Sequence, residues 1–210
     1  KAIDRGICIH DEIMARELLQ KSITLGNALV DMYAKCGMFT KAQHVLEELP
    51  IRDVFSWNAL IGAYVCHGYS EDALRSYFLM KAENILPDCV TFIYILKACT
   101  DSRDIEKGDD TYIEISQRGF LKADCCVGNA LVDMYGKCKS LESACITFDK
   151  MPILSKNVVT WTTMMNIYLQ HGEIRKSLYL YKVLSEGGIV VPNEFTYSTA
   201  LTACAEMTTL

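Results

Sequence analysis

Apolar and aromatic residues recur along this chain in short bursts of helical spacing. Leu29, Val30 and Tyr33 are the first such set. Leu60, Ile61 and Tyr64 repeat it, as do Ile95, Leu96 and Cys99, then Leu131, Val132 and Tyr135, and finally Met164, Met165 and Tyr168. That spacing draws a stripe along one side of a helix. Each set is followed by a second one, made of a small residue and then two bulky ones. These are Ala42, Leu46, Leu49; Ala73, Tyr77, Met80; Gly108, Tyr112, Ile115; Ala144, Phe148, Met151; and Ser177, Tyr181, Leu184. The small residue lets two helix backbones approach closely. The pattern predicts pairs of helices of about 11 to 14 residues, too short to persist alone in water, so each must bury its stripe against neighbours.

The breaks agree with this division. Gly37, Gly68 and Gly172 fall where first helices should end, and a left-handed residue there suits glycine. Pro50, Pro87, Pro152 and Pro192 fall between pairs, where no helical N–H donor is needed. A longer period runs above the pairs. The heptapeptide Asn27 to Tyr33 returns unchanged as Asn129 to Tyr135, 102 residues later. Trp57 answers to Trp161, Tyr64 to Tyr168 and Gly68 to Gly172. Complete units are expected at 23–53, 54–88, 89–124, 125–157 and 158–193, with partial ones at 1–22 and 194–210. The expected fold is all-α, a right-handed α-solenoid of helix-turn-helix hairpins. Neither end shows a polar capping repeat, so the chain reads as a piece of a longer array.

Composition narrows the function classes. The 210 residues are half hydrophobic, enough for one domain or one run of repeats, and few prolines and glycines argue against disorder. A net charge of −5 gives no global basic signature of nucleic-acid binding. No uncharged apolar run reaches membrane-spanning length, and residues 1–10 lack the pattern of a targeting peptide. Ten cysteines contain no C-x-x-C spacing and follow the repeat register, Cys36 with Cys138 and Cys99 with Cys204. They are expected to be packed, reduced thiols with no metal or cofactor. His10-Asp11-Glu12 matches half of a zinc deaminase signature, but the P-C-x-x-C half is missing, and His10 falls on a second-helix stripe. No phosphate-binding or nucleophile-elbow motif occurs, so no enzyme is expected in this chain.

These units resemble plant pentatricopeptide repeats of the P-L-S subclass over essentially the whole chain. Val54 to Asp88 resembles the P type, with Trp57-Asn-Ala-Leu-Ile61 in front and Pro87-Asp88 behind. Residues 158–193 take the same type. Cys89 to Asp124 is similar to the L type through Thr91-Phe92, Ile95-Leu96-Lys97-Ala98-Cys99 and Gly108, and the partial units 1–22 and 194–210 fall in that class. Ile23 to Asp53 and Cys125 to Asn157 resemble the S type through Gly-Asn-Ala-Leu-Val-Asp-Met-Tyr and the later Leu49-Pro50 or Met151-Pro152.

The resemblance implies sequence-specific binding of single-stranded RNA in a chloroplast or mitochondrion. The array would form the targeting part of a factor for cytidine-to-uridine editing, with any deaminase lying elsewhere. Splicing or stabilisation factors share the scaffold. Accessory editing proteins meeting the L-type repeats are implied as partners.

Helix geometry adds an independent point. Positions 2, 5, 9 and 13 of each unit centre roughly 140° from the core stripe. In the S units they read Thr24, Asn27, Asp31, Lys35 and Cys126, Asn129, Asp133, Lys137. Stacked units would place the amides in a ladder suited to one base per repeat. The family rule pairs position 5 with the last residue of the unit. Carried over, it gives Asn27 with Asp53 for uracil, Asn58 with Asp88 for uracil, Asn129 with Asn157 for cytosine and Thr162 with Asn193 for adenine. Ile93 with Asp124 departs from the rule and leaves its base open, so the implied core is 5′-UUNCA-3′. Position 2 sandwiches bases in the family, here through Phe55, Val90, Val159 and Phe195, with Thr24 and Cys126 poorer. Lys35 and Lys137 are candidate phosphate contacts. So few coded contacts predict affinity of about micromolar or weaker.

Local alternatives accompany these assignments. Asn27 and Asn129 are also candidates for helix caps, and Asp53, Asp88 and Asp124 for caps of the following helix. Trp57 and Trp161 lie on the core stripe and read as packing residues. A protein-interaction scaffold and self-association through the bare ends are competing functional readings.

Overall fold

The computed structural model describes residues 2–188 and 190–207. The outermost positions of the expected partial repeats, 1 and 208–210, lie outside the described residues, as does 189 within 158–193. The chain is all-α, and among the described residues there is no strand.

The helices are α1 (Ala2–Ala15), α2 (Ile23–Lys35), α3 (Phe39–Glu48), α4 (Val54–Cys66), α5 (Ser70–Ala82), α6 (Cys89–Ser102), α7 (Ile105–Gln117), α8 (Phe120–Ala123), α9 (Cys125–Lys137), α10 (Leu141–Lys150), α11 (Val158–Gln170), α12 (Ile174–Glu186) and α13 (Glu194–Met207). A 3₁₀ turn, Ile153–Ser155, precedes α11. The chain divides into two compact units, Lys1–Ser102 and Arg103–Leu210. In the first, α2 pairs with α3 and α4 with α5, while α2, α4 and α6 pack side by side. In the second, α9 pairs with α10 and α11 with α12, while α9, α11 and α13 pack side by side. Each unit is thus a short stack of helical hairpins, the building pattern of an α-solenoid.

Both apolar stripes are core. Val30, Ile61, Leu96, Leu131, Met164 and Met165 are fully buried, as are the small residues Ala42, Ala73, Ala144 and Ser177 that let paired helices close up. Tyr112, Tyr168 and Tyr181 are only half-buried. Trp57 and Trp161 are buried packing residues. The stripe tyrosines tie successive hairpins together. Tyr33 meets His10 through a 2.9 Å hydrogen bond to Nδ1, Tyr64 stacks on Phe39, and Tyr135 donates to Asp109 at 2.7 Å. Burial, reinforced by the Asp109 carboxylate, pushes the Tyr135 hydroxyl well above its ordinary pKa.

First helices stop as glycine predicts. Gly37, Gly68 and Gly172 have φ of +72°, +80° and +73°. The next N–H closes back on the stripe tyrosine, Tyr69 N to Tyr64 O at 2.9 Å and Glu173 N to Tyr168 O at 2.8 Å. The same turn after α9 uses Lys139, at φ 61°, in the register of Gly37. A left-handed non-glycine residue costs about 1 kcal/mol. Lys139→Gly is therefore expected to raise stability by about 0.5–1 kcal/mol and Gly68→Ala to lower it by about 1 kcal/mol, read as shifted urea midpoints. Among the described residues no proline lies in a helix.

The thiols depart from the expectation of packing. Among the described residues no disulfide joins the ten cysteines, yet Cys99 alone of them is buried, and Cys8, Cys36, Cys66, Cys126 and Cys204 are exposed. Cys36 and Cys138 are C-cap residues, beyond the last buried stripe position. Cys204 shares the register of Cys99 but has no second helix of its own repeat after it among the described residues.

Candidate functional site

The joint between one hairpin and the next is built by the last residue of each expected unit. Asp53, in extended backbone, caps α4 by accepting from Ser56 N at 2.9 Å, and Asn157 caps α11 by accepting from Thr160 N at 3.1 Å. Asp88 accepts from Thr91 N at 2.8 Å and Asn193 from Thr196 N at 3.0 Å, while Asp124 caps α9 through Cys126 N at 2.7 Å. These side chains satisfy donors that a helix start leaves orphaned. Asn27 and Asn129 cap nothing: Ser22 and Asp124 hold those helix starts.

The same capping side chains receive the position-5 residues. Asn27 Nδ2 donates to Asp53 Oδ1 at 3.2 Å, Asn58 Nδ2 to Asp88 Oδ1 at 3.0 Å, and Asn129 Nδ2 to Asn157 Oδ1 at 3.3 Å. Thr162 and Asn193 do not bond directly. Thr196 joins them, its Oγ1 lying 2.9 Å from Thr162 Oγ1 and donating to Asn193 Oδ1 at 2.9 Å.

Position 5 is less open than one helix alone suggests. Asn58 is 8% exposed and Thr162 7%, while Asn27, Asn129 and Ile93 are half-buried. The outward placement holds for an isolated helix. Here α6 lies along α4 and α13 along α11, and each neighbour covers that flank. Position 2 does face solvent: Phe55 is 67% exposed and Phe195 65%, and Thr24, Val90, Cys126 and Val159 are exposed as well.

The two candidate phosphate lysines are already engaged. Lys35 Nζ lies 2.7 Å from Asp31 and Lys137 Nζ 2.7 Å from Asp133, both exposed pairs one helical turn apart. The bond that Lys35 donates to Asp31 raises the Lys35 pKa. A recess of about 360 Å³ beside the first of these is lined by Asp31, Lys35, Asn58, Gly62, Cys66 and Tyr94. Its equivalent between α9 and α11 is lined by Asp133, Lys137, Thr163, Asn166, Ile167 and Gln170. Burial alone would raise the Asp88 carboxyl, but hydrogen bonds from Thr91 and Asn58 outweigh it and hold the pKa below its ordinary value.

One group of site residues escaped the sequence reading, the hydroxyls at position 3 of the following unit. Thr91 Oγ1 donates to Asn58 Oδ1 at 2.7 Å, and Thr160 Oγ1 donates to Asn129 Oδ1. Their signal was an alternation within the chain. Ser56, Thr91, Thr160 and Thr196 follow units with a polar position 5, whereas Val127 follows Ile93.

Stacked helical hairpins, with polar clusters at Asn27, Asn58, Asn129 and Thr162 beside an exposed position 2, define a helical-repeat binding scaffold. A PPR repeat family model matches residues 52–101 and 156–206, and a PPR repeat model matches 27–54 and 129–153. The chain belongs to the pentatricopeptide repeat family of plants. It is 34% identical over 210 residues to pentatricopeptide repeat-containing protein At1g34160 of Arabidopsis thaliana, covering 97% of this chain and 35% of that one. It is 34% identical over 203 residues to At4g25270, chloroplastic, of the same plant, covering 96% and 38%. The chain thus spans about a third of the length of these relatives. The crystal structure of maize PPR10 matches with a TM-score of 0.67 at 22% identity, over 97% of this chain and 30% of that one. PPR10 in complex with an 18-nt psaJ RNA element matches with a TM-score of 0.67 at 16% identity, over 96% and 30%.

Among the described residues no helix is long and apolar enough to cross a membrane.

Proposed function

We propose that this chain is a P-L-S array that binds single-stranded RNA in an organelle, one base per repeat. The proposed repeats are 23–53, 54–88, 89–124, 125–157 and 158–193, flanked by partial L-type repeats at 1–22 and 194–210. The array reads a core 5′-UUNCA-3′ and serves as the targeting part of a cytidine-to-uridine editing factor. Catalysis is assigned to a separate domain or partner, and accessory editing proteins to the L-type repeats.

One observation carries this reading. Asn27 and Asp53, Asn58 and Asp88, and Asn129 and Asn157 are 26 to 30 residues apart in sequence, yet each pair meets as one polar cluster at a joint. Beside each cluster stands an exposed position-2 side chain, aromatic at Phe55 and Phe195, on which a base can stack. The RNA complex of PPR10 supports the ligand class, and the chloroplastic designation of several relatives supports an organelle.

Fluorescence anisotropy with UUNCA oligonucleotides against scrambled ones tests the assignment, and equal affinity would remove it. Asn58→Ser with Asp88 retained is expected to move the second base from uracil towards guanine. Because Lys35 and Lys137 are neutralised by Asp31 and Asp133, salt dependence should be shallow. A slope of log K against log salt no steeper than about −1.4 is expected, the value for two released counterions on a single strand. Asp133→Asn frees Lys137 and is expected to tighten binding at low salt.

A further inference from the structure

We propose that the hydroxyl at the third position of the following first helix is a positioning residue for base reading: Thr91 for Asn58, Thr160 for Asn129 and Thr196 for Thr162. This rests on the base-reading assignment above and extends it, because each reading site then draws on three residues from two successive repeats.

Donors and acceptors at this joint decide how the amide is oriented. A side-chain amide offers two N–H donors and two carbonyl lone pairs. The ionised Asp88 carboxylate only accepts, so it takes one N–H of Asn58, at 3.0 Å. Thr91 Oγ1 has one proton and two acceptors in reach, Asp88 Oδ1 at 2.9 Å and the oxygen end of that amide at 2.7 Å, and it donates to the nearer, Asn58 Oδ1. One donor and one lone pair remain, and their order along the amide is fixed because the carboxylate and the hydroxyl cannot exchange places. An amide held this way meets a base edge with a set polarity. Thr91 is itself held: it is fully buried, its Oγ1 accepts from Asp88 N at 3.2 Å, and its own N–H is bound by the Asp88 side chain. The second S-type joint repeats the arrangement, with Thr160 between Asn129 and Asn157.

The chain contains its own contrasts. At the first joint Ser56 turns its hydroxyl to Asp53 O at 2.8 Å, and Asn27 Oδ1 is left buried with no hydrogen-bond partner. Asn27 and Asn58 face the same kind of carboxylate, so the hydroxyl is what separates them. In the sequence, the repeat whose position 5 is Ile93, with no polar end to orient, is followed by the one repeat whose third position is the apolar Val127 among those after Asn27, Asn58, Ile93, Asn129 and Thr162.

The test uses the 210-residue chain with Thr91→Val, which removes the hydroxyl at nearly constant shape, and Thr91→Ser, which keeps it. Two readouts are taken: NMR signals of the Asn58 side-chain amide in the free protein, and competition binding of UUNCA against UCNCA. In Thr91→Val the Asn58 amide signals should shift and lose exchange protection. Discrimination at the second base should fall about tenfold, the scale of one hydrogen bond, while that at the fourth is unchanged. Thr91→Ser should follow Thr91→Val, because a serine hydroxyl at this position turns to the aspartate carbonyl as Ser56 does.

Unmoved Asn58 signals in Thr91→Val would overturn the proposal. So would an equal loss of affinity for both RNAs, the result of a purely structural role. If the native chain discriminates no base while Thr91→Val still frees the amide, the base-reading assignment falls and the positioning of Asn58 stands.

Discussion

Trp161→Ala is expected to destabilise the second compact unit by about 3–5 kcal/mol, the cost of emptying a large aromatic from a packed interior. Trp161 is 3% exposed, meets Phe148 edge to face at 5.2 Å, and lies beneath Lys156, whose Nζ sits 4.2 Å from the Phe148 ring. Burial lowers the Lys156 pKa, and the aromatic faces are what hold the ammonium there. The loss is a large share of the stability of a domain this size, so thermal circular dichroism should show a markedly lower or earlier transition. Phe55→Ala supplies the contrast. Its ring is 67% exposed, so stability should change by no more than about 0.5 kcal/mol. RNA affinity should fall instead, by the about 1–3 kcal/mol that a stacked base is worth. Were Phe55→Ala to melt early while binding normally, position 2 would be structural.

Asp88→Ala should have the next largest effect, because one side chain performs two tasks. It caps α6 through Thr91 N, and losing a cap costs about 1 kcal/mol. It also accepts from Asn58, an amide 8% exposed, and stranding such a donor costs about 1–3 kcal/mol. Stability and uracil preference should therefore fall together. Asp88→Asn keeps a capping oxygen and is expected to move the second base from uracil towards cytosine with little loss of stability.

Acid separates the two variants further. The folded-state pKa of Asp88 lies below its ordinary value, so its stabilisation is complete above the usual carboxylate range near pH 4. It is lost as pH falls through the depressed folded value. Urea midpoints of the native chain should decline from about pH 5 to about pH 3 more steeply than those of Asp88→Asn, which has no carboxyl to protonate.

The hairpin pattern was legible because burial in paired helices imposes a strict period. Val30, Ile61, Leu96, Leu131 and Met165 could be placed in the core from spacing alone, and Trp57 and Trp161 with them. The pairs Asn27 with Asp53 and Asn58 with Asp88 were legible through resemblance, and they do meet. What spacing could not show is the neighbour. A projection down one helix knows nothing of α6 lying beside α4, so Asn58 was placed facing outward although it is buried. The bonding roles of Thr91 and Thr160 are hidden from the sequence for the same reason, since their partners belong to the preceding hairpin. The short α8 and the 3₁₀ turn at Ile153–Ser155 span too few residues to leave a period. Lys139 hides a turn that glycine announces elsewhere.

The sharing of Asp88 between Asn58 and the start of α6 bears on how such chains can be recombined. A module excised at its sequence period, 54–88, would carry Asn58 and Asp88 but leave behind Thr91, the residue that closes their cluster. Chimeras spliced just after the third residue of the next helix would transplant the whole cluster intact, whereas splices at the proline would pair each donor module with a foreign hydroxyl or with none.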